Sequence, residues 1–357
     1  MKYSGIGGQS VMEGVMMRNG PDYAIAVRKP DHEIEVKVEK NKGSLFDNKW
    51  MKIPIIRGVL SFIDSLVVGL STLMYSASFF EDEEEEEEEN EKKRERKNKK
   101  TLDPEKQEKR ENAMMTGVLV FSLILAIAVF MILPYYLSEL FQRFVTDRTN
   151  VVAIFEGVLR LAIFVVYILL ISRMEDIQRT FMYHGAEHKC INCIEHGLDL
   201  TVDNVRISSR EHKRCGTSFL VFVIVISIIL YLFIRVDSHV LRIVIRILLI
   251  PVIAGLSYEL LRAAGRTENK VINVLSMPGM WMQRLTVKEP DDEMIEVGIA
   301  SVEAVFDWRP FVEEVRREDA AARGTPLEED TDRESASEEY AESSETIEND
   351  GEDKFWL

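Results

Sequence analysis

The sequence predicts an α-helical polytopic membrane protein, with four transmembrane helices, one interfacial or re-entrant helix and a small cytoplasmic α+β layer. Three observations carry this prediction. Four apolar runs are each near the length that a hydrocarbon core demands. Lysine and arginine concentrate in alternate connections between those runs. The remaining sequence alternates short β-type patterns with loops that hold most of the histidine and cysteine. At 357 residues the chain is long enough for two modest domains. A mean hydropathy near zero conceals a division into almost wholly apolar and almost wholly charged stretches. The net charge of −16 comes from two acidic blocks and argues against nucleic acid as a main ligand. The three cysteines, Cys190, Cys193 and Cys215, are odd in number and close in sequence, which suits a reducing compartment or a metal better than a secreted disulfide framework. Met1-Lys2-Tyr3-Ser4-Gly5 opens without an apolar core, so no cleaved signal peptide is expected and insertion falls to internal segments.

Residues 1–52 read as a cytoplasmic N-terminal motif and hairpin. Gly5 to Arg18 is glycine-rich, and its glycines suit tight turns; no Gly-Lys-Ser/Thr follows, so a P-loop is not expected. Ala24–Val27 and Ile34–Val38 alternate, with Pro30, Asp31 and His32 between them, which predicts a β-hairpin. Residues 53–80 are apolar but carry Arg57 and Asp64, so they read as a surface-lying or re-entrant helix. Residues 81–112 are an acidic run followed by a largely basic one; such blocks cannot pack a core and predict a solvated linker.

Residues 113–262 form the membrane domain. Its expected spans are Met114–Leu137, Val151–Ser172, Thr217–Ile234 and Leu241–Leu261. Pro134 lies near the end of the first, and Pro251 and Gly255 interrupt the fourth. Glu156 and Arg160, one turn apart in the second, either pair inside the bundle or sit at the interface. Basic residues flank the first span, fill the connection 173–216 and follow the fourth span, whereas the other two loops hold few. Both termini and the 173–216 loop are therefore expected on the cytoplasmic side. Within that loop, the second span is expected to continue as a helix to about Glu195, with an extended excursion from Asp199 to Ser208. Residues 263–310 form a cytoplasmic interfacial segment and a helix from Pro290-Asp291-Asp292 to about Phe306. Residues 311–357 form an acidic tail, of disordered composition from about Gly324.

The chemistry concentrates in the 173–216 loop. Tyr183 to Lys189 contains His184, Glu187 and His188 in His-x-x-Glu-His spacing. On a helix the two imidazoles share a face and the glutamate projects beside them. This is the residue set for holding a divalent metal, with the glutamate as general base. The same order occurs in the inverted zincins. His212 and Cys215 stand at the start of the third span, and Glu259 near the end of the fourth; any of the three could complete the ligand set, while Glu259 could equally pair with Arg262. A competing arrangement is a closed knuckle of Cys190, Cys193, His212 and Cys215 that only staples the loop. Glu13, Arg18, Asp64, Lys189 and Arg214 are further candidate site residues, charged positions within or beside these motifs.

Gly7 to Arg18, Tyr183 to Lys189, His212 to Thr217 and Pro278-Gly279 together resemble the YqhQ family of bacterial multipass membrane proteins, over roughly residues 5–306 without the charged linker. The family is of unknown function and is labelled as predicted metal-dependent enzymes. The resemblance implies the membrane topology and a metal requirement, and little mechanism. Two positions depart from the family pattern. Lys213 stands where proline is usual, and Cys190 where a hydroxyl residue is usual, which removes Cys190 from the expected site. The expectation is a metal-dependent enzyme, hydrolase-like and zinc-binding, acting at the cytoplasmic membrane surface on a lipid or membrane-protein substrate. Its rival is a non-enzymatic scaffold or membrane-biogenesis factor, docking a membrane or cytoplasmic protein through a loop that the His/Cys cluster knots together.

Overall fold

A computed structural model describes residues 2–40, 49–92, 117–118, 120–146, 148–234, 236, 238–265 and 270–323. Most of the expected charged linker, and the acidic tail beyond Arg323, lie outside them. In chain order the strands are β1 (Gly7–Val11), β2 (Gly14–Asn19), β3 (Asp22–Arg28) and β4 (Ile34–Lys40). The helices are α1 (Ile56–Lys92), α2 (Val120–Phe144), α3 (Thr149–Ile171), α4 (Glu175–Glu195), α5 (Val202–Ile207), α6 (Gly216–Leu232), α7 (His239–Ala264), α8 (Lys270–Thr286), α9 (Asp292–Val305) and α10 (Trp308–Arg323). The chain divides into two compact units. One holds Met1–Phe80, Ile171–Val223 and Ile250–Leu357; the other holds Glu81–Leu170 and Ile224–Leu249.

The first unit is built on an antiparallel sheet in the order β1-β2-β3-β4. The expected hairpin is β3 with β4, in register from Asp22 opposite Lys40 to Arg28 opposite Ile34. β1 and β2 were not expected. Successive side chains of a strand point to opposite faces, and here both faces are covered. Val15, Met17 and Ala26 pack with Tyr183, Ala186, Cys190 and Ile194 of α4 and with Met294 and Val297 of α9. Met16, Tyr23, Ile25 and Val27 pack with Val68, Tyr75 and Phe79 of α1. A strand buried on both faces reads as a continuous apolar run, so Val15-Met16-Met17 carries no period-two signal. The edge strand β4 does alternate: Lys37 and Glu39 turn toward Tyr75 of α1 and Tyr23 of β3, while Val36 and Val38 are exposed on the opposite face, and its charged residues discourage further pairing.

Among the described residues, four helices are long and apolar enough to cross a membrane: Ile56–Phe80, Val120–Phe144, Asn150–Ile171 and Val240–Ala264. The number matches the expectation and the membership differs. Ile56–Phe80 enters the set, while Gly216–Leu232 is a shorter apolar helix. The first expected span extends further toward the C-terminus, ending at Phe144 instead of Leu137. The contacts of α1 are unusual for a span. Gly69 lies against Gln9, whose amide donates to the Gly69 carbonyl, and the Met12 amide donates to Ser76. Its other side presents Leu66, Val67, Leu73 and Met74 exposed.

Several local expectations are corrected. The helix after the second span is not its continuation: α3 ends at Ile171, Met174 is extended, and α4 starts afresh at Glu175. Asp176 and Glu175 occupy the first turn of α4, where acids favour initiation. The expected extended excursion is instead a short helix, α5, because the Thr201 hydroxyl caps it by accepting from the Asn204 amide. The helix expected from Pro290 is α9, capped by Asp291 through the Met294 amide. The acidic tail does not begin at residue 311: α10 runs to Arg323 because Trp308, Val312 and Val315 recur on one face and are buried.

Candidate metal centre

The centre grows from α4. His184 and His188 lie one turn apart on it, with ring centroids 4.5 Å from each other. Each ring is aimed by a backbone carbonyl. His184 Nδ1 lies 3.1 Å from the Thr286 oxygen, at the end of α8, and donates to it. His188 Nδ1 donates to the Arg210 oxygen at 2.6 Å. A carbonyl only accepts, so the proton sits on Nδ1 and the Nε2 lone pair of each ring is left for a ligand. This is the outer-shell arrangement that orients metal-binding histidines. Gly185 makes it possible. A Cβ there would come 2.0 Å from the Lys288 oxygen, so only glycine lets α4 approach the chain that carries Thr286.

Cys215 meets the two rings from across the loop. Its Sγ lies 3.3 Å from His184 Nε2 and accepts the Thr217 amide at 3.3 Å. Burial works against ionisation of this thiol, but its interaction with His188 and the hydrogen bonds from Thr217 outweigh it and hold Cys215 below its usual range. One ligand atom from each of His184, His188 and Cys215 falls within 4.8 Å of the others. Two imidazole nitrogens and a thiolate are a zinc-type donor set. Two ring nitrogens whose protons are placed elsewhere, beside a thiol held below its usual range, fit a cation between them.

Glu187 is on the adjacent side of α4, 5% exposed. Burial pushes its carboxyl up to about 7; His184 and the Gly8 backbone pull the other way, and Cys215 adds to the rise. A Cβ on Gly8 would come 2.8 Å from Glu187 Cγ, so β1 is pressed against this side chain.

A second cluster stands beside the first. The His212 ring is 5.5 Å from that of His188, but its Nε2 faces Glu195 Oε2 at 3.6 Å. Glu195 is fully buried, pairs with Arg214 and accepts from the Ser4 amide and hydroxyl at 2.8 and 2.6 Å. Burial opposes its charge, yet His212, Arg214 and Ser4 together hold the Glu195 carboxyl down at about 2. Gln283 clamps the His212 backbone from both sides, accepting from its amide at 2.9 Å and donating to its carbonyl at 2.8 Å.

Of the ligand candidates read from the sequence, the structure groups His184, His188 and Cys215. His212 belongs to the Glu195 cluster. Glu259 forms a two-pronged ion pair with Arg57, at 3.0 and 2.5 Å, rather than with Arg262 or the cluster. The closed knuckle is not assembled. Cys190 is packed against Gly298, and Cys193 points at the Leu198 and Asp199 carbonyls. Glu13, a guessed contributor, pairs instead with Arg179 and accepts from the Tyr183 hydroxyl at 3.2 Å. Arg18 pairs with Asp64 at 2.6 Å, tying β2 to α1. Lys189 donates to the Arg206 carbonyl and pairs with Glu289. Arg214 is committed to Glu195. Sequence reasoning missed Glu195, Gln283, Thr286 and Arg210. The last two act through backbone oxygens, which leave no side-chain signature.

A family model described as a protein of unknown function, DUF1385, matches residues 53–308. The chain belongs to the DUF1385 family. The uncharacterised protein YqhQ of Bacillus subtilis (strain 168) is 35% identical over 304 residues, which cover 83% of this chain and 90% of that protein. The resemblance stated from the motifs is thereby shown. No solved structure matches. The DUF1385 match takes in α4, Cys215 and Thr286 and starts beyond the sheet that presses Gly8 onto Glu187.

Proposed function

We propose that this DUF1385 protein is a membrane-embedded metalloenzyme, hydrolase-like, with a zinc-type site at the cytoplasmic membrane surface and a lipid or membrane-protein substrate. The observation that carries the reading is the convergence of His184 Nε2, His188 and Cys215 Sγ with both Nδ1 protons spent on backbone carbonyls. A divalent metal there supplies Lewis acidity that activates water at neutral pH. The chain's residues do the rest. Thr286 and Arg210 hold the rings in place, the α6 N-terminus holds the thiolate, and Glu187 takes up the proton as general base.

The location follows from topology. The N-terminal sheet, the 173–216 loop and the C-terminal helices share one hydrophobic core. Segments that share a core lie on one side of a bilayer, which supports an even number of crossings between them. The concentration of basic residues in these segments supports the cytoplasm as that side. The α1 contacts with the sheet, together with its exposed apolar side, favour an interfacial or re-entrant helix over a span.

A second reading has its own observation. His188, Cys215 and Glu187 are 1%, 3% and 5% exposed, the burial of a closed structural site in a scaffold or biogenesis factor. Purified full-length protein distinguishes the two. On the enzyme reading it carries one equivalent of metal, and Glu187→Gln keeps the metal and loses turnover of lipid or peptide ester substrates. On the scaffold reading, chelation unfolds the first unit and Glu187→Gln changes nothing. Absence of stoichiometric metal defeats the enzyme reading and favours the scaffold, with the His/Cys cluster a metal-free knot.

A further inference from the structure

The second unit contains a buried ionic cluster that the metal centre does not use. Glu156, Arg160 and Arg246 are 5–7% exposed, on helices long and apolar enough to cross a membrane. Arg246 grips both oxygens of Glu156, at 2.7 and 2.8 Å. Arg160 donates to the same carboxylate at 2.9 Å and to Ser227 at 2.9 Å. Its Nε reaches the Phe130 carbonyl at 3.1 Å. That carbonyl lacks its α-helical donor because residue 134, whose amide would bond it, is proline; α2 widens here into a π turn over Ala128–Ile132. The helix is thus shaped around the arginine.

Two guanidinium groups face one carboxylate, so the triad holds a formal charge of +1 in an apolar bundle. Charge in such a place is costly and marks a ligand or an ion path more often than a structural tie. Arg246 Nε is buried with no acceptor. The Tyr135 and Tyr231 rings sit against Arg246, at 4.9 and 4.8 Å, and offer only π faces to its charge. Arg246 also lines a cavity of about 690 Å³, whose wall mixes Arg148, Arg242 and Glu139 with Val151, Val152 and Leu232. A single small anion would leave most of this volume empty, whereas a headgroup-sized ligand suits it.

We infer that this cavity binds an amphiphilic or soluble phosphate ester through Arg246 and Arg242, with Glu156 as the internal counter-charge that holds the site in its absence. The forked guanidinium matches the phosphate oxygens, and the apolar wall suits the carbon skeleton beside them. The chemistry has two sources, a phospholipid headgroup or a soluble phosphate ester. By the distribution of basic residues, the cavity mouth lies at the non-cytoplasmic end of the bundle. The proposal is independent of the metal centre.

The test uses full-length protein in nanodiscs of phosphatidylcholine alone or with phosphatidylglycerol, and in detergent with glycerol phosphate. Retained lipid is read by native mass spectrometry, and ligand-dependent melting by fluorescence. Arg246→Gln is expected to weaken binding by about tenfold or more, and Arg242→Gln to weaken it less. Glu156→Gln removes the competing carboxylate, so it is expected to tighten binding and to gain more melting temperature from the ligand than the wild type does. Preference for phosphatidylglycerol identifies a headgroup site, and response to glycerol phosphate alone identifies a soluble ester. Should Arg246→Gln fail to fold, Arg242→Gln and Glu156→Gln still decide. Wild-type protein that prefers neither probe, or a folded Glu156→Gln protein that binds no more tightly than wild type, overturns the proposal and leaves the triad as a helix-to-helix tie.

Discussion

Two histidine clusters lie side by side in the 173–216 loop, and their chemistry is opposite. In one, His184 and His188 spend their Nδ1 protons on carbonyls and turn toward a thiol held below its usual range. In the other, His212 faces a buried carboxylate that already has a guanidinium and a serine as partners. Both clusters are buried and both contain histidine. The difference lies in what remains after internal partners are counted. The first leaves lone pairs unspent and calls for a cation. The second pairs its charges internally, although Glu195 Oε2 is buried without a hydrogen-bond partner, and serves to fasten Ser4, α4 and the start of α6 together. A histidine near a candidate site is therefore a ligand only when its outward nitrogen has been left an acceptor.

The largest expected effect tests that distinction directly. Cys215→Ser and His188→Asn are expected to take bound metal from one equivalent to none, because each removes one of three converging donors. His212→Asn is expected to keep the metal, since that ring is held by Glu195. Elemental analysis of the purified variants reads both. Metal lost equally in all three would merge the clusters into one site.

Next comes the closed cluster. Glu195 is held at about 2 in the folded chain, against an ordinary value of 4.5. A carboxyl depressed by folding contributes stability that is full above about pH 4.5 and is lost as pH falls toward 2. The difference corresponds to about 3 kcal/mol at neutral pH as an upper figure. Glu195→Gln is expected to lower stability by up to that amount at pH 7, and the gap between variant and wild type should close as the pH drops through 4 to 2. Denaturation of the detergent-solubilised protein across that range gives the measurement; a gap independent of pH would mean that Glu195 is neutral in the fold.

How much of this was legible in the sequence depends on where each signal resides. The His-x-x-Glu-His spacing sets two donors one turn apart on any helix, so His184 and His188 could be paired from sequence. The third donor could not be chosen among His212, Cys215 and Glu259, because the choice is made by partners distant in sequence: Glu195 for the first and Arg57 for the last. The β3–β4 hairpin showed through its alternating outer strand. β1 and β2 did not, since burial on both faces erases alternation and their glycines read as turns. Those glycines have a separate cause. Gly8 is small because Glu187 and the Met16 carbonyl occupy the space where a Cβ would go. In the second unit Glu156 and Arg160 could be paired by spacing, whereas Arg246, 90 residues further along, could not.

That packing gives the third prediction. In Gly8→Ala the new methyl would stand 2.7 Å from the Met16 oxygen and 2.8 Å from Glu187 Cγ. Overpacking of this kind costs about 1–3 kcal/mol. The side chain free to yield is Glu187, so on the proposed enzyme reading the variant is expected to retain its metal while its turnover falls. Metal analysis paired with an activity assay separates this from general unfolding, in which both would be lost together.

The smallest effect belongs to the ligand candidate that the fold sends elsewhere. Glu259 and Arg57 are joined by two hydrogen bonds, yet their side chains remain 25% and 22% exposed. Partly exposed pairs contribute about 0–1 kcal/mol, so Glu259→Gln is expected to cost no more than that. The pair sits where α1 and α7 come closest. A Cβ on Gly58 would lie 2.6 Å from the Gly255 oxygen, so the helix backbones already touch without help from the charges. The contact itself is therefore the stronger tie. Gly255→Ala should destabilise the protein more than Glu259→Gln does, and neither should change the metal content. Metal lost from Glu259→Gln but kept in Gly255→Ala would bring the glutamate back as a ligand and undo the division drawn between the two histidine clusters.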